Sequence, residues 1–368
     1  MSSSCRRHAR SPAVTPPLDD DDLLSEILLH LPPQPSSLPR ASLVCRRWRQ
    51  LVSDPRFFRR FRLHHRRNPP LLGFFDRFRG LAFLPTLEAP NRVPPERFSL
   101  QSDDDNYFTS LGCRHGLFLI CFQKLLQLLS LINGAVLGAA GDDQHFQVVL
   151  VVADVDEEQQ EQVLACVYSS KTGSWGNLIS KKLPYQANEG SFPTMVYTAD
   201  AVLAGGCLYW KLAANFDGIL EFDLERQSLA AIRVPVDMYG QSNSFKVMRA
   251  EGGGLGFLFV SRSDYTAQLW KRMTDCDGVA SWGLARTIEL DKLLSLKPEE
   301  KGPIVILGLA EENNAVFLWT MIGLIMIHLE SSKFKKLFET MGFSFYHPFE
   351  SVYAAACRST HWWCTQWG

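Results

Sequence analysis

The chain shows neither a secretory signal pattern nor a cysteine framework. Residues 1–17 are rich in Arg, Ser and Pro and lack the apolar core of a signal peptide, so we expect a disordered tail there. The nine cysteines are scattered and odd in number, which argues against a set of paired disulfides. Both absences predict a reducing compartment, the cytoplasm or the nucleus.

Motifs that bind nucleotides or metals are also missing. No glycine-rich loop ends in Gly-Lys-Ser or Gly-Lys-Thr, and the glycine-rich run 251–256 leads into a strand pattern instead of a helix. Cys357, His361 and Cys364 offer three metal ligands with no second pair nearby. No two carboxylates are predicted to converge on a dry pocket. The sequence therefore predicts no catalytic residue, no metal and no cofactor.

One long apolar stretch, from Gly116 to Ala140, raises the question of a membrane span. It contains Gln123, Lys124 and Asn133, and no helix-type anchors flank it. We expect strands with a buried hairpin there and no contact with a membrane.

Charge is distributed unevenly along the chain. Residues 1–67 contain 13 arginines, no lysine and six acidic residues, whereas the remainder contains 25 basic and 33 acidic residues. A basic segment suits nucleic acid or a membrane surface. However, the arginines from Arg46 to Arg62 alternate with apolar positions, as on solvated helix faces, and no aromatic–basic platform accompanies them. We therefore expect no nucleic-acid binding; an acidic protein surface would also suit these arginines.

Three amphipathic helix patterns lie within residues 19–63. The first begins at four aspartates, which favour the positive end of a helix dipole, and ends at a pair of prolines. The second has Ser36 or Ser37 as its N-cap, and the third has Asp54 as its N-cap with Pro55 in the first position. Their apolar faces are too large to bury in one another, so the unit needs a partner surface.

These residues resemble the F-box, specifically that of the large plant F-box families. The matching segments are LLSEILLHLPP (Leu23–Pro33), SLPRASLVCRRWRQLVSDP (Ser37–Pro55) and FFRRFR (Phe57–Arg62). The resemblance implies docking on the Skp-type adaptor of a cullin-RING ubiquitin ligase, while the rest of the chain captures an unknown target protein. The adaptor face implied residue by residue comprises Leu18, Leu24, Ile27, Leu28, Leu31, Pro32, Leu43, Val44 and Trp48. Leu28 and Trp48 are the expected anchors. The alternative is that these helices form the core of an ordinary helical subdomain.

The rest of the chain shows short β-rich runs separated by Gly, Asp, Asn and Pro, which favours a closed or radially repeated all-β architecture. Residues 218–229 match residues 323–334 in pattern, and each copy follows a strand pattern that ends in tryptophan, Trp210 and Trp319. A looser third unit includes Trp270. The 105-residue separation suits two propeller blades of about 40–50 residues each.

Several of these β segments, HGLFLI, VYSSKTGSWG, LYWKL and ILEFDLERQSLAAIRVP among them, resemble the propeller-like associated domain of grass F-box proteins. Two segments depart from that pattern: residues 122–147 look shortened, and the terminal ACRSTHWWCTQWG does not resemble a closing strand. Because a propeller closes by pairing its first and last strands, an incomplete or open ring is one expected outcome.

The predicted organisation is a small all-α F-box of three helices followed by an all-β propeller-like domain, complete or incomplete. The predicted segments are a tail (1–17), the F-box (18–65), a joint (66–72), the β domain (73–356) and an irregular tail (357–368). The main functional hypothesis is a non-catalytic substrate receptor of a ubiquitin ligase. A propeller enzyme or sugar-binding protein with a structural helical head, and a family member with a defective receptor domain, are the alternatives.

Overall fold

The computed structural model describes residues 20–76, 82–98, 107–123, 132–138, 145–156, 160–184, 193–197, 200–214, 216, 218–235, 245–339 and 346–352. Two compact units divide the chain. Among the described residues, the helical unit comprises residues 20–66 and Val352. The sheet domain runs from Arg67 to Ser351.

The helical unit contains four helices where the sequence predicted three. They are α1 (Asp21–Leu29), α2 (Ser37–Ser42), α3 (Arg46–Val52) and α4 (Pro55–His64). The predicted second helix is divided at residues 43–45. The N–H groups of Leu43 and Val44 bond back to Arg40 and Ala41, which ends α2, and Cys45 adopts an extended conformation from which its Sγ caps α3 at Trp48 N. The three-helix prediction was therefore wrong at this point.

Side-chain caps set the starts of α1 and α4. The Asp20 carboxylate accepts hydrogen bonds from the backbone N–H of Asp22 (2.9 Å) and Leu23 (3.3 Å). The Asp54 carboxylate accepts from Arg56 N at 2.8 Å, with a proline in the first helical turn as the sequence predicted. At the start of α2 the N-cap is Ser36, and its side chain makes no capping bond.

The core of the helical unit is formed by apolar side chains from all four helices. It is completed by Val352, which follows the last described strand. The buried members are Leu24, Leu28, Leu29, Leu38, Ala41, Val52, Phe57, Phe61 and Val352.

Six antiparallel sheets are described in the propeller-like sheet domain. The first has the order β2 (Ala82–Pro85), β1 (Leu71–Asp76), β23 (Tyr346–Glu350). The second pairs β3 (Tyr107–Arg114) with β4 (Leu117–Gln123). The third contains β5 (Ile132–Gly138), β6 (Phe146–Val155), β7 (Glu161–Ser169), β8 (Ser174–Trp175) and β9 (Ile179–Lys182). The fourth contains β10 (Met195–Val196), β11 (Val202–Ala204), β12 (Cys207–Ala213), β13 (Gly218–Asp223) and β14 (Ser228–Arg233).

The last two sheets have four strands each in sequential order. The fifth is β15 (Phe245–Arg249), β16 (Leu255–Ser261), β17 (Thr266–Thr274) and β18 (Ala280–Glu289), followed by the short helix α5 (Leu290–Leu293). The sixth is β19 (Val305–Ala310), β20 (Ala315–Thr320), β21 (Gly323–His328) and β22 (Phe334–Phe338). Among the described residues, no helix combines the length and the apolar character needed to cross a bilayer.

A strand near the C-terminus closes the sheet domain. β23 pairs antiparallel with β1, from Leu71 opposite Glu350 to Asp76 opposite Tyr346. Gly73 is required within β1 because a Cβ there would collide with the Leu84 carbonyl and the Phe83 ring. The expected open ring is therefore corrected: the closing strand is the segment before the terminal ACRSTHWWCTQWG, which itself lies outside the described residues.

Two domain boundaries also differ from the prediction. All six residues of β1 are buried and the strand begins at Leu71, so the last two residues of the predicted joint already belong to the first sheet. At the other end, Val352 belongs to the helical unit instead of the β domain.

The internal repeat corresponds to two equivalent hairpins. Residues 218–229 begin the β13–β14 hairpin and residues 323–334 the β21–β22 hairpin. Trp210 and Trp319 lie on the preceding strands, β12 and β20. Trp270 lies instead on β17, the third strand of its sheet, so the looser third unit is offset by one strand from the other two.

Candidate functional site

The predicted partner face divides into buried and exposed side chains. Leu24 and Leu28 are 0% and 1% exposed, so neither is available to a partner in this conformation. Leu43 and Val44 are 75% and 61% exposed. Among the remaining predicted residues, Ile27 is 43% exposed, Pro32 is exposed, Leu31 and Trp48 are half-buried, and Leu18 lies outside the described residues.

Leu28, one of the two expected anchors, is therefore not accessible in this conformation. Leu24 and Leu28 lie on the side of α1 that faces the core of the helical unit, whereas Leu23 and Ile27 lie one turn apart on its exposed side. Trp48 packs partly against the same core and keeps part of its ring accessible. The sequence pattern showed which positions are apolar but could not separate those that face the core from those that stay exposed.

Leu43 and Val44 owe their exposure to the break between α2 and α3. The chain leaves the helical path at these two residues, and the guanidinium of Arg49 in α3 donates to the Ser42 carbonyl at the end of α2. A leucine and a valine exposed together at a helix junction cost hydrophobic free energy, which burial against a partner recovers.

The surface charge of this unit is predominantly basic. Residues 20–66 contain nine arginines and five acidic residues. Arg47 pairs with Asp21 at 2.7 Å and Arg60 pairs with Glu26, and both pairs lie at the surface. The net positive charge favours an acidic partner surface.

A second cluster of polar groups lies inside the sheet domain. Ser110 Oγ on β3 is 2.6 Å from His347 Nε2 on β23, and His347 Nδ1 is 2.7 Å from Asp200 Oδ1. With the ring hydrogen on Nδ1, the imidazole donates to Asp200 and accepts from the Ser110 hydroxyl. The order of groups is that of a Ser-His-Asp triad.

Several charged groups surround this triad-like arrangement. Arg114 pairs with Glu311 at 2.7 Å and donates to the Ala201 carbonyl, while Arg249 pairs with Glu312 at 3.1 Å. Glu350 on β23 accepts hydrogen bonds from the backbone N–H groups of residues 312 and 313. Strand residues of the first, second and fifth sheets thus meet in one polar cluster with residues that flank strands of the fourth and sixth sheets.

A cavity of about 30 Å³, room for about two water molecules, adjoins the cluster. Its lining includes Cys113, Arg114, Asp200, Lys246 and Glu311, but neither Ser110 nor His347. Those two side chains are 3% and 2% exposed. A substrate could not reach the serine in this conformation, so we assign the arrangement to fixing β23 and not to catalysis.

The electrostatics of the cluster fit this structural role. Burial raises the pKa of Asp200, but the interaction with His347, together with two nearby cationic side chains, outweighs it, so the net pKa lies below the ordinary value. Burial lowers the pKa of Arg114, and the Glu311 carboxylate reverses this and raises it overall. Burial also raises the pKa of Glu350 and lowers that of Lys246. The charged forms of Asp200 and Arg114, which pair with opposite charges across sheets, are therefore favoured. The charged forms of Glu350 and Lys246 are disfavoured, because burial dominates there.

Sequence reasoning missed this cluster entirely. Ser110, Asp200 and His347 are separated by 90 and 147 residues, and none belongs to a local motif. In the described part of the chain, no three His, Cys, Asp or Glu side chains form a group suited to a metal ion. The weak candidate ligands Cys357, His361 and Cys364 lie outside that part.

Comparison with known families identifies both units. The model of the family described as "F-box protein AT5G49610-like, beta-propeller" matches residues 124–354, and a model described as "F-box-like" matches residues 21–64. No curated protein matches the chain.

Two solved structures show weak similarity: the extracellular domains described as those of a one-component system and a hybrid two-component system of B. thetaiotaomicron. Identity is 10% and 11%, with TM-scores of 0.23 and 0.21. The matches cover 50% and 60% of this chain but only 29% and 39% of the other two.

Proposed function

The chain belongs to the F-box protein family with an AT5G49610-like β-propeller, and on that premise we propose that it is the substrate-recognition subunit of an SCF-type cullin-RING ubiquitin ligase. An F-box joined to a propeller fits a receptor protein with an adaptor-type role. In the proposal, the helical unit binds a Skp-type adaptor, the sheet domain binds the protein to be ubiquitinated, and the chain acts in the cytoplasm, the nucleus or both.

The observation that carries this proposal is the exposure of Leu43 and Val44 at the α2–α3 junction. Each would gain on the order of 1–2 kcal/mol from burial in an apolar groove. Ile27 and Trp48 offer further apolar area, and the surrounding arginines suit an acidic adaptor surface. This revised face retains the exposed members of the predicted one and omits Leu24 and Leu28.

The test is a titration of the full chain with a purified Skp-type adaptor by isothermal calorimetry. The double variant Leu43→Ala/Val44→Ala should weaken binding by about 2 kcal/mol or more, because two exposed anchors are truncated. Leu63→Ala on α4 is the matched control: Leu63 is also exposed (38%) but was never part of the predicted face. Undiminished affinity in the folded double variant, or an equal loss in the control, would contradict the proposed face.

A further inference from the structure

The longest open strand edge among the described sheets belongs to β18, which has ten residues. Its outer edge pairs with no described strand. The β17–β18 hairpin also extends beyond its neighbour: β16 pairs with β17 only as far as Lys271, whereas β17 continues to pair with β18 through Thr274. The end of the hairpin thus extends past β16, and no described strand pairs with the outer edge of β18 there.

This edge lacks the side chains that normally prevent edge-to-edge association. Lysines and prolines usually block such edges. Outer strands β9 and β22 follow that rule, with Lys181–Lys182 and Lys335–Lys336 respectively. Residues 280–284 of β18, Ala-Ser-Trp-Gly-Leu, contain neither a charge nor a proline. The register shift of β18 lies inward of this segment, at Ala285, so the five residues form a regular edge.

Two kinds of side chain around this edge suit pairing with another strand. Small residues allow close approach, and exposed apolar residues offer area that a partner would cover. Leu284 is 51% exposed and Val279 is 61% exposed. Met273 is 41% exposed and lies so close to Gly283 that a Cβ there would collide with its methyl group. Small residues, exposed apolar groups and an open backbone edge together suit pairing with another extended strand.

We propose that β18 pairs antiparallel with β18 of a second copy of this chain. A two-fold axis near Trp282 would place Ala280 of one copy opposite Leu284 of the other, so the uncharged segment faces itself without like-charge contacts. This pairing does not depend on the proposed ligase function.

The test is sedimentation equilibrium of the full chain over a range of concentrations. The wild-type chain should form dimers. Ala280→Lys/Leu284→Lys and Ala280→Glu/Leu284→Glu should each weaken self-association about tenfold or more, because like charges oppose one another twice across the axis. An equimolar mixture of the two variants should form a heterodimer, because the lysines of one variant then lie opposite the glutamates of the other. Ser228→Lys on the outer strand β14 is the control and should leave the dimer intact.

A wild-type chain that stays monomeric would overturn the proposal, including the case in which the edge instead receives a strand of a different protein. A dimer insensitive to both double variants, or folded variants that fail to associate when mixed, would overturn it too. Hydrogen exchange of the wild type gives a readout without variants. Amides of residues 280–284 should exchange more slowly at high than at low protein concentration, and equal rates would contradict the pairing.

Discussion

The helical unit and the sheet domain use polar groups in opposite ways. In the helical unit, the ion pairs Arg47–Asp21 and Arg60–Glu26 lie at the surface and join residues at most 34 positions apart. In the sheet domain, Arg114 and Glu311 pair with side chains only 9% and 11% exposed. The contact between Ser110 and His347 spans 237 positions. In the helical unit these polar contacts thus lie on the surface of a locally formed fold. In the sheet domain they hold together strands that are distant in the sequence.

This difference predicts which kind of substitution destabilises each unit. The helical unit should tolerate the loss of a surface ion pair, since such pairs contribute about 0–1 kcal/mol to stability. A buried pair behaves differently, because removing one partner leaves the other without compensation for its lost hydration. We therefore expect the helical unit to be sensitive to apolar truncation and the closure of the sheet domain to be sensitive to polar truncation.

The largest expected effect comes from His347→Ala. The substitution leaves Asp200 and Ser110 without their partner and should lower the free energy of unfolding of the sheet domain by about 3–5 kcal/mol. Urea unfolding followed by tryptophan fluorescence measures it. Lys335→Ala, which removes an exposed ion pair with Glu88, should cause no measurable change. Similar stabilities for the two variants would contradict the claim that buried polar contacts, and not exposed ion pairs, hold the sheet domain together.

The helical unit offers a matched pair on one helix. Leu28→Ala creates a cavity in the core and should cost about 2–5 kcal/mol of unfolding free energy. Ile27→Ala, at the neighbouring and 43% exposed position, should cost less than about 1 kcal/mol. Thermal unfolding monitored by circular dichroism compares them. Equal losses would mean that Ile27 is also a core residue and that the exposed face is smaller than described.

Local signals predicted much of the helical unit. The cap at Asp54, the proline that follows it and the apolar positions from Leu24 to Phe61 all depend on residues within four positions of one another. The division between α2 and α3 was missed because residues 43 and 44 are apolar and fit a helical pattern as well as a break. The burial of Leu28 in a core that includes Val352 was beyond local reasoning, since Val352 lies more than 300 residues away in the sequence.

In the sheet domain, strand composition and the internal repeat predicted the class of fold but not its closure. The closing strand Tyr346–Glu350 contains a proline and a histidine and resembles an ordinary loop in sequence. Its pairing with β1 and its hydrogen bonds to Asp200 and Ser110 arise only once the sheets are assembled. A pattern read in windows of about ten residues contains no information about such partners.

A smaller effect is expected where Arg286 joins the fifth and sixth sheets. Its guanidinium donates to the carbonyls of Leu329 and Glu330 and to the Ser332 hydroxyl, each at 2.7 Å. Arg286→Lys keeps the charge but cannot form all three of these hydrogen bonds. We therefore expect the free energy of unfolding in urea to fall by about 1–2 kcal/mol. Arg272→Lys on the same hairpin is the control and should have little effect. Equal losses would show that the contacts of Arg286 contribute little to holding the sheets together.

The finest distinction concerns the pH dependence of two carboxylates in the buried cluster. The pKa of Asp200 is lowered in the folded state from 3.8, so its stabilising contribution is present above that value and is lost as pH falls through the folded pKa. Asp200→Asn should therefore lose less stability than the wild type between pH 5 and pH 3. The pKa of Glu350 is raised from 4.5, so the folded state binds its proton first and the wild type gains stability relative to Glu350→Gln as pH falls towards 4.5. Urea unfolding at a series of pH values should thus give difference curves of opposite slope. Curves of the same slope would mean that burial alone, and not the His347 contact, governs both groups.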